Sequence, residues 1–224
     1  MEKAIVASET IGDMLANRVP QEYTIEIGNN ERGSLNNISI QNALRYLEEL
    51  GLDYGAPLAL GLGQTIAAPY ITRLMDDLLE LRTKKKVLEV GTGTGYQATL
   101  LADAVRDVYT IDTVPSLVEH AQSALRSIGY ENIHFRLGDG YEGWIECAPY
   151  DAIVVTVSCS VVPPQLLLQL EDNGVLIIPI EVTSGSQYLF RIVKSGLKLG
   201  VVKIGRVCFP PLKHRESPSQ ESSE

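Results

Sequence analysis

The run Lys86-Val87-Leu88-Glu89-Val90-Gly91-Thr92-Gly93-Thr94-Gly95-Tyr96 decides how the rest of this chain is read. Residues 86–90 form a short apolar segment with β-branched residues and turn-forming flanks, which predicts a buried strand. Behind the glycines, Gln97-Ala98-Thr99-Leu100-Leu101-Ala102 predicts the first turns of a helix. Strand, glycine turn and helix together bring backbone N–H groups and the positive end of a helix up to a ligand's negative charge. Glycine suits such a turn because it tolerates positive φ and leaves no Cβ beside the ligand. The spacing is G-x-G-x-G. A dinucleotide fingerprint would place its third glycine at position 96, where this chain has Tyr96. Taken alone, Gly-x-Gly is also found in ordinary tight turns, so its weight depends on the residues around it.

Beyond the turn, the chain alternates strand and helix. Val108 to Asp112 predicts a strand, and Pro115 to Ile128 a helix with Gly129 past its end. Strands are expected at Ile133–Leu137 and Ala152–Val157, a helix at Pro164–Leu170 and a strand at Val175–Ile180. Tyr188–Val193 and Val201–Phe209 alternate as strands with no helix between them. The pattern predicts an α/β fold: a mostly parallel twisted sheet with helices on both faces and an irregular antiparallel closing segment. Ahead of the glycine stretch, Ile71, Leu74, Met75, Leu78 and Leu79 recur at helical spacing, with Arg73 and Asp77 on the wet side. Residues 57–70 carry too many glycines for a packed helix and too few polar residues for a surface loop.

Residues 1–56 are the least legible. A short helix is expected from Ser8 through Leu15 and another from Ser39 to Leu50, with a polar loop over 28–37 between them. The tail 213–224 is rich in Ser, Glu and Pro and is expected to be disordered. At 224 residues the chain suits one large domain plus appendages. A formal charge of −9 disfavours a nucleic-acid partner, which needs a basic face. The three cysteines and three histidines share no metal-ligand spacing, so neither a zinc site nor a disulfide framework is expected. The start is too quickly polar for a signal peptide and no run reaches membrane-spanning length, which points to a cytoplasmic protein with no membrane partner.

Polar residues at the C-terminal ends of strands are the informative ones in an open α/β sheet. Asp112 ends the second strand of the series, about 20 residues past the glycine turn, where a carboxylate can accept from two ribose hydroxyls. Thr113 comes next. Gly138-Asp139-Gly140 ends the third strand and places Asp139 where an adenine amino group could meet it. Each aspartate alone is also explained as a strand-end cap. Together, behind the glycine turn and Glu89, they describe a nucleoside site, and S-adenosylmethionine fits it. The expected cofactor-binding set is Glu89, Gly91, Gly93, Gly95, Asp112, Thr113, Gly138, Asp139 and Gly140.

With these residues in view, the chain resembles the protein-L-isoaspartate (D-aspartate) O-methyltransferase family of Rossmann-like class I methyltransferases. The resemblance rests on Gly63-Gln64-Thr65-Ile66 with Pro69, VLEVGTGTGYQATLLA (87–102), GDGYEGW (138–144) and APYDAIVVT (148–156). Pro163 with its leucine-rich helix, Gly174-Val175-Leu176-Ile177-Ile178-Pro179 and Val207-Cys208-Phe209-Pro210-Pro211-Leu212 extend it. It runs from about 57 to 212. It implies a methyltransferase domain over 57–212, preceded at 1–56 by a divergent segment at the substrate entrance. It implies methyl transfer from S-adenosylmethionine to a carboxylate of a peptide or protein carrying isoaspartate, with Gln64, Thr65 and Ile66 walling the substrate side. A carboxylate, with a pKa of about 4, is already ionised at neutral pH and needs no general base.

The departures bear on substrate. The resemblance implies serine after Thr-Ile, and this chain has Ala67. One lost hydrogen bond to a charged group is worth roughly 1.5–3 kcal/mol, or about tenfold to a hundredfold in rate. Val157-Ser158-Cys159-Ser160 replaces an alanine-rich run, and its hydroxyls either substitute for the lost one or cap the next helix. Glu181 stands where glycine is frequent and either repels an acidic substrate or faces water. Trp144 reads as a packing residue. Two other readings stay open: methylation of an ordinary aspartate in a dedicated peptide to drive imide formation, and a catalytically silent cofactor-binding module.

Overall fold

The computed structural model describes residue 15 and residues 19–27, 58–61, 64–66 and 69–214; at 25, 27, 58–61, 64–66, 69 and 70 only the backbone is described. The helix expected over Ser39–Leu50, the loop at 28–37, Ala67 and the tail beyond 214 lie outside these residues. Leu15, the end of the first expected helix, is helical and fully buried.

The strands are β1 (Thr24–Ile27), β2 (Leu58–Gly61), β3 (Gln64–Ile66), β4 (Lys86–Val90), β5 (Asp107–Asp112), β6 (Ile133–Leu137), β7 (Tyr150–Val155), β8 (Leu170–Thr183), β9 (Ser186–Ser195) and β10 (Lys198–Val207). The helices are α1 (Pro69–Leu79), α2 (Tyr96–Ala104), α3 (Pro115–Ser127) and α4 (Pro164–Gln169). Eight strands form one sheet in the order β1-β10-β9-β8-β7-β4-β5-β6, and β2 and β3 form a separate hairpin. From β8 through β7, β4 and β5 to β6 the pairing is parallel; β8-β9 and β9-β10 are antiparallel. The mostly parallel sheet with an antiparallel closing segment expected from the alternation is thus present.

The parallel part of this sheet starts in the middle, at β4. β5 and β6 are laid down on one side of β4, and β7 then returns to the other side. That reversal opens a crevice at the carboxyl ends of β4, β5 and β7, because the connections leave in opposite directions there.

Successive residues of each strand serve opposite faces. Val87 joins the core beneath α1 and α2, with Ile71, Leu74, Met75, Ala98 and Leu101, while Leu88 joins the other core with Leu166, Leu167 and Leu15. The apolar stripe of α1 is buried as its periodicity predicts, and Arg73 and Asp77 are exposed.

Two strand assignments need correction. β8 extends beyond the expected Val175–Ile180 at both ends: Leu170 pairs with Tyr150 of β7, and the antiparallel ladder with β9 runs on to Thr183. Residues 171–174 form an irregularity, since Tyr150 pairs with Leu170 but Ala152 pairs with Val175. β10 ends at Val207 rather than Phe209, and the chain then leaves the sheet. Within the glycine-rich stretch, β2 and β3 pair antiparallel, with Leu58 opposite Ile66 and Ala59 opposite Thr65.

Candidate active site

β4 ends in the glycine turn because three residues there have positive φ: Gly91 (100°), Gly93 (52°) and Gly95 (84°). The three serve different ends. A Cβ on Gly91 would collide with Thr156 Oγ1, whose hydroxyl donates to the Gly91 carbonyl at 2.7 Å and locks the turn to the end of β7. A Cβ on Gly93 would meet nothing within 4 Å, so this backbone faces open space. Gly95 caps α2, and a Cβ there would lie 2.9 Å from Leu125 Cδ1, so its smallness lets α2 approach α3.

Asp112 is held in place by two backbone donors. Gly93 N–H donates to Oδ2 at 3.0 Å and Val114 N–H to Oδ1 at 3.0 Å. A carboxylate offers about four acceptor sites, so about two remain for outside donors. Asp112, Thr113, Gly91 and Gly140 line one cavity of about 190 Å³ together with Val90, Ile111 and Val157. The wall of this cavity that sequence reasoning missed is Pro210, Pro211, Leu212 and Lys213, from the segment after β10.

That segment reaches the cleft through the loop after β7. Ser158 N–H donates to the Pro210 carbonyl and Leu212 N–H to the Ser158 carbonyl, both at 2.8 Å. Gln187 completes the anchorage: Phe209 N–H donates to its Oε1 at 2.7 Å, and its Nε2 donates to the Phe209 carbonyl at 3.0 Å and to Ser158 Oγ at 3.1 Å. Ser158 is buried in this joint. The capping role open to its hydroxyl is excluded, since α4 starts after Pro163 with no side-chain cap. Cys159 beside it is buried, which pushes its thiol up to about 12 and leaves no thiolate for nucleophilic chemistry. Glu181 accepts from Gly185 N–H and braces the β8-β9 turn.

Behind the glycine turn lies a buried acid. Glu89 is fully buried, and Thr110, its register partner on β5, donates to Oε2 at 2.6 Å. Thr110 and Thr92 are hydroxyl-bonded at 2.7 Å. Glu89 Oε1 has no hydrogen-bond partner among the described residues. Burial pushes its pKa up to about 8; the Thr110 bond opposes this, and Asp112 and Asp76 add to it. Asp76 on α1 is raised to about 7, chiefly by burial, although the Gln97 side chain on α2 donates to it. Thr110 and Asp76 were not singled out in the sequence; the available signal was a polar residue at an inward strand position facing Glu89.

Asp139 sits at the end of β6, its Oδ1 accepting from Tyr141 N–H at 2.8 Å. Gly140 is pressed between Val90 and Leu212: a Cβ there would lie 2.6 and 2.9 Å from their side chains. Gly138 packs against Ile111 and is not among the cavity-lining residues. Trp144 packs edge-on against Tyr109, ring centroids 5.4 Å apart, in line with its reading as a packing residue. Gln64, Thr65 and Ile66 lie on β3, and their side chains are outside the described set.

Residues 49–217 match the sequence profile of the family described as Protein-L-isoaspartate(D-aspartate) O-methyltransferase. The chain belongs to this family. A protein-L-isoaspartate O-methyltransferase of Dictyoglomus thermophilum is 46% identical over 167 residues, 74% of this chain and 76% of the relative. One from Opitutus terrae is 43% identical over 162 residues, 72% of this chain and 69% of the relative. Among solved structures, a protein-L-isoaspartate O-methyltransferase superposes with a TM-score of 0.66 at 26% identity, covering 79% of this chain and 66% of that one. A Plasmodium falciparum structure solved in complex with S-adenosyl-L-homocysteine shares the fold, with a TM-score of 0.64 at 24% identity, covering 79% of this chain and 98% of that one. The span matched to the isoaspartate methyltransferase family takes in β2 through the cleft-lining residues after β10.

Proposed function

We propose that this protein is a cytoplasmic S-adenosylmethionine-dependent carboxyl O-methyltransferase that esterifies isoaspartyl carboxylates in peptides and proteins, a repair step leading to a succinimide. The observation that carries the reading is the cleft at Gly91, Asp112 and Gly140, with an oriented carboxylate that keeps acceptor capacity. These residues suit S-adenosylmethionine. Asp112 would hold the ribose hydroxyls and the open backbone at Gly93 would receive the amino-acid moiety. When bound, S-adenosylmethionine supplies a methyl group carried on a sulfonium sulfur.

The chain's own part is positioning and exclusion of water. Val90, Ile111, Val157, Pro210 and Leu212 supply the apolar part of the cleft lining, against which an attacking carboxylate oxygen would lose water. The glycine turn, tied to β5 through Asp112 and to β7 through Thr156, fixes one end of the ligand so that the methyl faces a single direction. An ionised carboxylate with a pKa of about 4 attacks without a base, and family membership makes isoaspartate its source.

The test is methyl-ester formation from labelled S-adenosylmethionine on two matched peptides, one with isoaspartate and one with aspartate. Transfer confined to the isoaspartate peptide is expected. Transfer to the aspartate peptide would overturn repair in favour of a dedicated substrate. Transfer to neither, with the cofactor bound, would make the chain a silent binding module. Ala67→Ser adds a hydroxyl and is expected to raise turnover on isoaspartate, by about tenfold if that hydroxyl meets the substrate.

A further inference from the structure

Next in the chain to the cleft-lining Lys213, His214 makes two contacts that mimic a purine, with Asp139 and Tyr141 on either side of the lining residue Gly140. Its Nδ1 lies 2.9 Å from Asp139 Oδ2, and because a carboxylate can only accept, the imidazole donates. Its ring stacks on Tyr141, centroids 4.1 Å apart and planes within 19°. An adenine would present the same two features, a flat face and an N–H donor, to the same carboxylate. The residues before His214 lie on the floor of the cleft: Leu212 packs on Gly140, and the Tyr141 hydroxyl donates to the Leu212 carbonyl at 3.5 Å.

We propose that His214 and the adenine of the ligand compete for Asp139, so that the His214 side chain is a displaceable plug of the purine subsite. This rests on the reading of the cleft as an S-adenosylmethionine site. The anchorage explains why the plug can open without unravelling the cleft. Pro211 and Leu212 are tied to Ser158 through backbone hydrogen bonds and a parallel bridge, and Gln187 holds Phe209 upstream. His214, two residues further on, leaves 73% of its side chain exposed, against 19% for Asp139. Releasing the imidazole therefore uncovers little apolar surface and returns its N–H to water, while the wall formed by Pro210–Leu212 stays in place. A site whose competent form is only fractionally populated binds its ligand more weakly by that fraction.

The experiment uses the full chain and S-adenosylhomocysteine. Calorimetry on the parent and on His214→Ala should show binding tightened by about three- to tenfold in the variant, the gain when a resting contact that closes a site most of the time is removed. In the parent, imidazole NMR resonances of His214, one of only three histidines, should shift on saturation as the ring leaves Tyr141. Unchanged or weaker affinity in His214→Ala would overturn the competition, as would a His214 resonance that ignores the ligand. If neither protein binds S-adenosylhomocysteine, the cofactor reading of the cleft fails instead.

Discussion

Replacing Glu89 with glutamine should stabilise the ligand-free protein, and by an amount that depends on pH. Burial lifts this carboxyl from 4.5 to about 8. A group whose folded pKa lies above its unfolded value costs nothing while protonated in both states. As pH climbs from the unfolded value towards the folded one, the unfolded chain gives up its proton first, and stability is lost at about 1.36 kcal/mol per pH unit. With these two values the cost grows from roughly 1 kcal/mol near pH 5.5 to ~4 kcal/mol near pH 7.5. Glutamine keeps an oxygen for the Thr110 hydroxyl and never ionises. Asp76, also raised, titrates in the same window in both proteins and cancels to first order. Urea unfolding of parent and variant at the two pH values is the assay, with the free-energy gap expected to widen by roughly 2–3 kcal/mol at the higher pH. A gap that stays constant would show that Glu89 titrates normally and is not sequestered behind the glycine turn.

Gly91→Ala should abolish measurable S-adenosylmethionine binding and lower the thermal midpoint, because the new Cβ meets Thr156 Oγ1 and the residue must keep a φ of 100°; calorimetry and a melting curve check both. Asp112→Ala should weaken S-adenosylmethionine binding by about tenfold to a hundredfold, the value of charge-assisted hydrogen bonds to a ribose, and an unchanged dissociation constant would remove Asp112 from the site. Arg191→Met should cost about 2–4 kcal/mol in urea unfolding, since the buried guanidinium donates to the Leu78 carbonyl at 3.0 Å and pairs with Glu80 at 3.1 Å.

Local patterns were legible wherever one segment carried its own signal. The β4–α2–β5–α3–β6 series is dictated by apolar runs, helical spacing and turn glycines, and Asp112 and Gly140 fall at strand ends that line the cleft. Pairings between distant segments carried no such signal. Nothing near Thr24 indicates that it lies beside Lys198, and nothing near Ser158 indicates that Pro211 returns to it. The Glu89-Thr110 contact depends on strand register, which sequence specifies only through which face is buried. The substrate side was least accessible, because the sequence ahead of β4 carries few local patterns and Ala67 lies outside the described residues.

The central position of β4 also sets the order in which this protein can assemble. β8, β9 and β10 are joined by short glycine turns and can pair from nearby residues. The crevice at the end of β4 must await the pairing of Val87 with Ala152, a closure across a long intervening chain. A ligand that needs both sides of β4 therefore has nothing to hold until that closure is complete. Saturating ligand should slow unfolding and leave the refolding rate unchanged, so in a cell it would extend the lifetime of finished molecules without helping nascent ones to form.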